Sequence, residues 1–245
     1  MSLRPYVHLD HPLAGSTAGT RVPLDGEARH HLTTVLRLTR GARLEVADGR
    51  GAVASGRLDS DEVELLTAPV VTPPARPRLE LAQALAKGRR FDEVVRQATE
   101  LGVDVIRPVA AERSVSKLSD ERAERARARW SSVARAAAEQ ARRPTRPRLA
   151  PPCPVDGLDL VAAEVLVAQP GAPALPDVAG DGQDVERVVL VVGPEGGWSD
   201  AELETLLEQG GRLAGLGPTV LRTEHAGAAG LAVLAARFGR WAHSS

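Results

Sequence analysis

The sequence predicts an α/β protein in which a small β-rich domain precedes a larger domain built on a parallel sheet. Three observations carry this. Residues 4–66 are short alternating apolar and polar runs punctuated by turns, whereas from residue 79 onward apolar strands alternate with amphipathic helices. Between the two patterns, residues 69–77 contain four prolines and no periodic signal, which reads as an extended linker. The expected domains are therefore 1–72 and 73–245.

In the first domain, residues 43–47 and 52–56 alternate on either side of Asp48-Gly49, a hairpin signal, and a small β-barrel is the expected form. The stretch 30–38 reads as a short helix with Leu32, Val35 and Leu36 in the core and His30 and His31 outside. Beyond the linker, 79–85 reads as a strand. Residues 91–101 follow as a helix with Phe91, Val94, Val95, Ala98 and Leu101 on one face and Gly102 as its stop, and 103–109 as the next strand. The longest helix spans 119–143, with Ala123, Ala126, Trp130, Val133, Ala137 and Ala141 at helical spacing. Arg122, Arg125 and Arg129 form a neighbouring stripe that Glu121 and Glu124 can pair with. After it, residues 142–148 are basic and proline-rich.

Residues 164–169 read as a strand, 170–184 as a Pro/Gly/Asp loop, and 188–192 as a strand buried on both faces. Gly193-Pro194-Glu195-Gly196-Gly197 then turns into a helix whose start is marked by Ser199 and Glu202, a capping box, and whose end is marked by Gly210-Gly211. Leu203, Leu206 and Leu207 are its expected buried face. A second glycine turn, Gly217-Pro218, leads through Leu221-Arg222-Thr223-Glu224 to a small-residue helix over 226–238. Glycine turns at the carboxyl ends of parallel strands let a ligand reach main-chain groups, and two of them suggest adjacent walls of one pocket.

The net charge of -1 conceals an asymmetry. Residues 76–148 carry 18 Lys or Arg against 10 Asp or Glu, whereas 149–245 carry 5 against 13. Such a split favours a polyanionic partner on one face. The single cysteine, Cys153, excludes an internal disulfide and argues against a cysteine metal site; no histidine or acid spacing suggests a metal either. Neither glycine turn carries Gly-Lys-Ser/Thr, which excludes a Walker phosphate loop. No apolar run approaches the roughly 20 residues that span a bilayer, and residues 1–25 lack the order of a signal peptide, so a cytoplasmic chain with no membrane partner is expected.

The pair of motifs Gly193-Pro194-Glu195-Gly196-Gly197 and Leu221-Arg222-Thr223-Glu224 resembles the signature of the RsmE family, the small-subunit ribosomal RNA uridine-N3 methyltransferases of the SPOUT class. The resemblance extends over nearly the whole chain, through His31, Val35, Leu36 and Arg37, Lys87-Gly88, Thr99-Glu100-Leu101-Gly102, Arg113-Ser114 and Ala138-Glu139-Gln140. It implies a PUA-like RNA-binding module followed by an α/β domain whose C-terminal segment forms a deep trefoil knot. It implies S-adenosylmethionine held by Gly193, Glu195, Gly196, Gly197, Leu216, Gly217, Leu221, Arg222 and Ala226, with the glycines at 196 and 197 leaving room for the ligand. It further implies a homodimer and, as substrate, ribosomal RNA within the small subunit.

The reaction so implied is methylation of uridine N3, which must lose a proton to become nucleophilic. Glu224 is the candidate to accept it and Arg222 to stabilise charge on the uracil oxygens; an Arg222–Glu224 ion pair that only shapes the loop is the alternative. His31, Arg37, Lys87, Arg113, Arg142 and Arg143 are the candidate RNA contacts, with a solvated loop cation the alternative for Lys87 and Arg113. Thr219 stands where the family often has arginine, His225 where threonine is common, and Trp198 where phenylalanine is usual. A SPOUT enzyme acting on another RNA such as transfer RNA, or a non-catalytic RNA-binding assembly factor, are the other readings.

Overall fold

A computed structural model describes residues 4–86, 88–114, 120–181 and 185–241. The chain divides into two compact units, one made of residues 1–74 and 135–146, the other of 75–134 and 147–245.

The first unit contains β1 (Tyr6–His8), β2 (Arg21–Pro23), α1 (Gly26–His30), β3 (Arg43–Ala47), β4 (Ala52–Asp59), β5 (Glu62–Leu65) and β6 (Val70–Val71). Its sheet runs β1-β3-β4-β5-β2, with β6 added to β4. The expected hairpin is β3–β4, antiparallel from Arg43 opposite Arg57 to Ala47 opposite Val53. Asp48 closes its turn: the buried carboxylate accepts N–H bonds from Arg50 at 2.8 Å and Ala52 at 3.1 Å. Inward residues of the strands, among them Leu44, Val46, Ala54, Leu58 and Val63, form one core with Leu32 of the helical stretch.

Two expectations change here. The proline-rich stretch is not only a linker, because Val70 and Val71 pair with Val53 and Ala52; a two-residue edge strand can sit among prolines because nothing further has to bond to it. The helix near residue 30 is α1 prolonged by a wider π-type turn over 31–35, which rotates the following side chains, so that Val35 is 57% and Leu36 39% exposed while Leu32 is fully buried.

The second unit holds β7 (Arg78–Ala84), α2 (Arg90–Glu100), β8 (Val105–Val109), β9 (Arg148–Leu149), β10 (Glu164–Ala168), α4 (Leu175–Val178), β11 (Arg187–Val192), α5 (Asp200–Glu208), β12 (Arg212–Ala214) and α6 (Thr223–Arg237). The helix α3 (Asp120–Gln140) begins in this unit and ends in the first. All six strands are parallel, in the order β12-β10-β11-β7-β8-β9. Strand β11 is central and buried throughout: Val188, Leu190 and Val192 join the core under α2 and α6, whereas Val189 and Val191 face the opposite core with Leu206 and Trp198. That alternation is why its sequence is apolar without interruption.

Helix α6 lies close against β7 and β11 because it carries glycine where it meets them; a Cβ at Gly227 would stand 2.5 Å from Gln83 Oε1. It starts at Thr223, three residues before the expected Ala226, with Arg222 as an extended N-cap and Glu224 in the first turn, where the helix dipole favours an acid. The capping box of α5 forms as expected, Ser199 and Glu202 exchanging both bonds. Of its expected buried face only Leu206 is fully buried; Leu207 is 42% exposed, one residue round the helix. Among the described residues, no helix is long and apolar enough to cross a membrane.

Candidate active site

Three adjacent strands, β12, β10 and β11, end at one edge of the parallel sheet, and the connections leaving their carboxyl ends form a cavity. Gln169 and Pro170 follow β10, residues 193–198 follow β11, and residues 216–222 follow β12. With Arg90 and the first turn of α6 they enclose about 530 Å³, within the usual range for an organic ligand. Of the residues expected from the sequence, Gly193, Glu195, Gly197, Leu216, Gly217, Leu221, Arg222, Glu224 and Ala226 all line it.

Gly196 does not. A Cβ there would meet Arg113 Cβ at 3.4 Å, an ordinary van der Waals contact. Gly197 lines the cavity, but its requirement is conformational: φ is +70°, which costs a side-chain-bearing residue about 1 kcal/mol or more. Its N–H donates to the Pro194 carbonyl at 2.9 Å, closing the turn.

The electrostatics centre on Glu224. It is 8% exposed, and its Oε2 has no hydrogen-bond partner among the described residues. Its cationic neighbour is Arg90, not Arg222: Arg90 Nε lies 4.0 Å from Glu224 Oε1, and Arg90 Nη1 lies 3.3 Å from Glu195 Oε1. Arg90 therefore ties the wall after β11 to the first turn of α6. Arg222 is exposed at the N-cap, with no ion pair among the described residues. Gln83, fully buried on β7, donates from Nε2 to the Thr223 carbonyl at 3.2 Å and so holds the turn that carries Glu224. Trp198 presents a buried Nε1 without a partner among the described residues. Thr219 is in the lining; His225 is exposed and outside it.

The candidate RNA contacts are dispersed. Arg113 donates to the Gly196 carbonyl at 3.3 Å and the Trp198 carbonyl at 3.1 Å, which fixes the cavity wall. In the first unit, Arg142 pairs with Glu45 and stacks 5.0 Å over the Tyr6 ring, and Arg143 donates to the Thr145 hydroxyl. Arg37 is exposed with a positive φ of 52°, and His31 is half-buried. Lys87 lies outside the described residues. Sequence reasoning missed Arg90, Gln169, Val220 and Gln83. A helix-opening arginine past β7 and a glutamine just after β10 occupy the carboxyl edge of the sheet, which is the signal that could have singled out the first two.

A parallel α/β sheet with a glycine-walled cavity at its carboxyl edge and a buried carboxylate inside defines a ligand-binding enzyme class, and comparison with known proteins says which. The family described as "RNA methyltransferase domain" matches residues 73–235, and "RNA methyltransferase PUA domain" matches 24–66. Ribosomal RNA small subunit methyltransferase E of Mycobacterium bovis is 33% identical over 241 residues, covering 91% of this chain and 89% of its own. That of Bacillus subtilis is 32% identical over 217 residues, covering 83% and 85%. The chain belongs to the ribosomal RNA small subunit methyltransferase E family. Among solved structures, the Neisseria gonorrhoeae member bound to S-adenosylmethionine superimposes with a TM-score of 0.83 at 29% identity, covering 95% of this chain and 97% of that one. A Legionella pneumophila protein solved with the same cofactor reaches 0.84 at 27% identity, covering 96% and 98%.

Proposed function

We propose that the protein methylates N3 of a uridine in small-subunit ribosomal RNA, using S-adenosylmethionine. The observation that carries this is one cavity lined by residues of both glycine-turn motifs and by a buried carboxylate whose Oε2 has no hydrogen-bond partner among the described residues. The residues present suit the cofactor: Val192, Leu216, Leu221 and Ala226 offer an apolar wall, the turns at Gly193 and Gly217 offer main-chain groups, and Glu195 offers a carboxylate to a cationic ligand. Bound there, the cofactor supplies an electrophilic methyl group.

The chain's own residues do the rest. Glu224 accepts the N3 proton through the oxygen that has no partner, and Arg222 reaches the uracil oxygens as negative charge develops on them. Arg90 and Gln83 hold Glu224 in place. Holding the base against the methyl group supplies a further share of the rate by positioning alone.

The same reading extends to the architecture. Residues 1–72 are a PUA-like β-barrel that binds RNA, with His31 and Arg37 at its contact and Arg142 and Arg143 bracing it. Residues 73–245 are the SPOUT domain, with the segments after β10, β11 and β12 threaded as a trefoil knot. The protein works as a cytoplasmic homodimer, on RNA assembled in the small subunit. The test is transfer of labelled methyl from S-adenosylmethionine to purified small subunits that lack their own methyluridine, followed by nucleoside mass analysis. Label in N3-methyluridine is the expected result; label that appears only on transfer RNA overturns the substrate, and no transfer with cofactor binding intact overturns the reaction.

A further inference from the structure

A second cavity, of about 330 Å³, lies beside the first on the other side of the start of α2. Gly88 and Phe91 form one wall and Arg122, Arg125, Arg129 and Trp130 of α3 the other. Leu85 and Ala86, which follow β7 directly, place it beyond the carboxyl edge of the same sheet. Successive residues at the start of α2 face different cavities, Arg90 the first and Phe91 the second.

Its chemistry is cationic at the rim and aromatic at the floor. Phe91 and Trp130 pack at 4.5 Å between ring centroids, and the Trp130 Nε1–H is buried without an acceptor among the described residues. Arg129 is engaged by Asp92 at 3.0 Å. Among the described residues, Arg125 meets only Glu121, in a pair whose side chains are 76% and 75% exposed, and an exposed pair of this kind yields readily to a stronger anion. Arg122 has no carboxylate within 4.0 Å among the described residues.

We infer that this cavity is a second RNA subsite, which takes the nucleotide flanking the methylated uridine, its phosphodiester on Arg122 and Arg125 and one of its oxygens on the Trp130 N–H. The assignment rests on the RNA-methylation reading above and adds where the strand is held. An unpartnered donor in an aromatic floor, rimmed by exposed guanidinium groups, matches a nucleotide better than an apolar or cationic ligand.

The test is binding of unmethylated small-subunit ribosomal RNA at several salt concentrations, with cofactor affinity measured in parallel by calorimetry. Arg122→Gln with Arg125→Gln is expected to lower RNA affinity and to flatten the slope of log affinity against log salt by about 1.4, at about 0.7 for each phosphate contact on a single strand. Trp130→Phe keeps the packing on Phe91 and removes the donor; RNA affinity should fall about fivefold, whereas a purely structural Trp130 would leave it unchanged. Arg127→Gln, on the same helix but outside the cavity and paired with Glu124, should keep the wild-type slope. A wild-type slope in the double variant, or an equal loss in Arg127→Gln, overturns the subsite. Wild-type protein that neither binds nor methylates the RNA sinks the underlying reading and takes the subsite with it, so the two failures are distinguishable.

Discussion

Glu224 shows how a residue's neighbours set its use. A buried carboxylate with one oxygen unpartnered is poorly stabilised as a structural element and well placed to take a proton. Glu224→Gln should lower methyl transfer by about 10²- to 10⁴-fold while calorimetric binding of S-adenosylmethionine is retained; loss of both together would assign the residue to cofactor binding. His8 makes the opposite point. Its Nε2–H donates to the Arg143 carbonyl at 2.8 Å, its Nδ1 is buried without a partner among the described residues, and burial, reinforced by Arg146 and Arg135, lowers its pKa from 6.5 to about 4. The unfolded chain therefore binds a proton that the folded one refuses between those values. Stability should be full above about pH 6.5 and fall by on the order of 3 kcal/mol as the pH drops to about 4, which denaturant midpoints read directly. His8→Gln should flatten that window. The motif singled out Glu224 as a candidate; the state of His8 was not legible, since it is set by burial and by arginines well over a hundred residues away.

At the scale of elements, what could be read from sequence was what is decided locally. The capping box of α5 needs only Ser199 and Glu202, three residues apart, and both were legible. Ser199→Ala should cost about 1 kcal/mol in chemical denaturation. The start of α6 at Thr223 is masked in the sequence by the glycine turn just before it, although an acid in the first turn, Glu224, is itself a helix-start signal. Arg135 near the end of α3 could not be read at all. It is 4% exposed and meets Asp25 at 3.0 Å, Glu139 at 3.3 Å and Glu27 at 3.4 Å, two of them more than a hundred residues distant in sequence. Burial alone would raise the Asp25 carboxyl, but the Arg135 hydrogen bond and the Ala28 N–H outweigh it and hold it below its ordinary value. Arg135→Ala strands these acids and should destabilise the protein by about 3–5 kcal/mol in urea unfolding.

Over the whole molecule, the parallel sheet was legible because strands and helices alternate, but the strand order was not, because it is set by which apolar faces meet across long connections. The charge asymmetry was legible too, yet part of it is spent internally: Arg78 and Arg107 both lie 2.7 Å from the fully buried Glu80. What remains on the surface should still govern RNA binding. Affinity for small-subunit RNA should fall steeply between about 50 and 200 mM salt while affinity for S-adenosylmethionine changes little, and equal salt dependence of both would contradict an RNA-specific cationic face. The first compact unit is itself assembled from two separated stretches, 1–74 and 135–146, and the second brings the arginine that Asp25 and Glu27 require. A gene segment ending at codon 74 encodes those acids without their counter-ion. A front module moved without residues 135–146 therefore leaves Arg135 behind, and its new setting has to supply another cation to these acids.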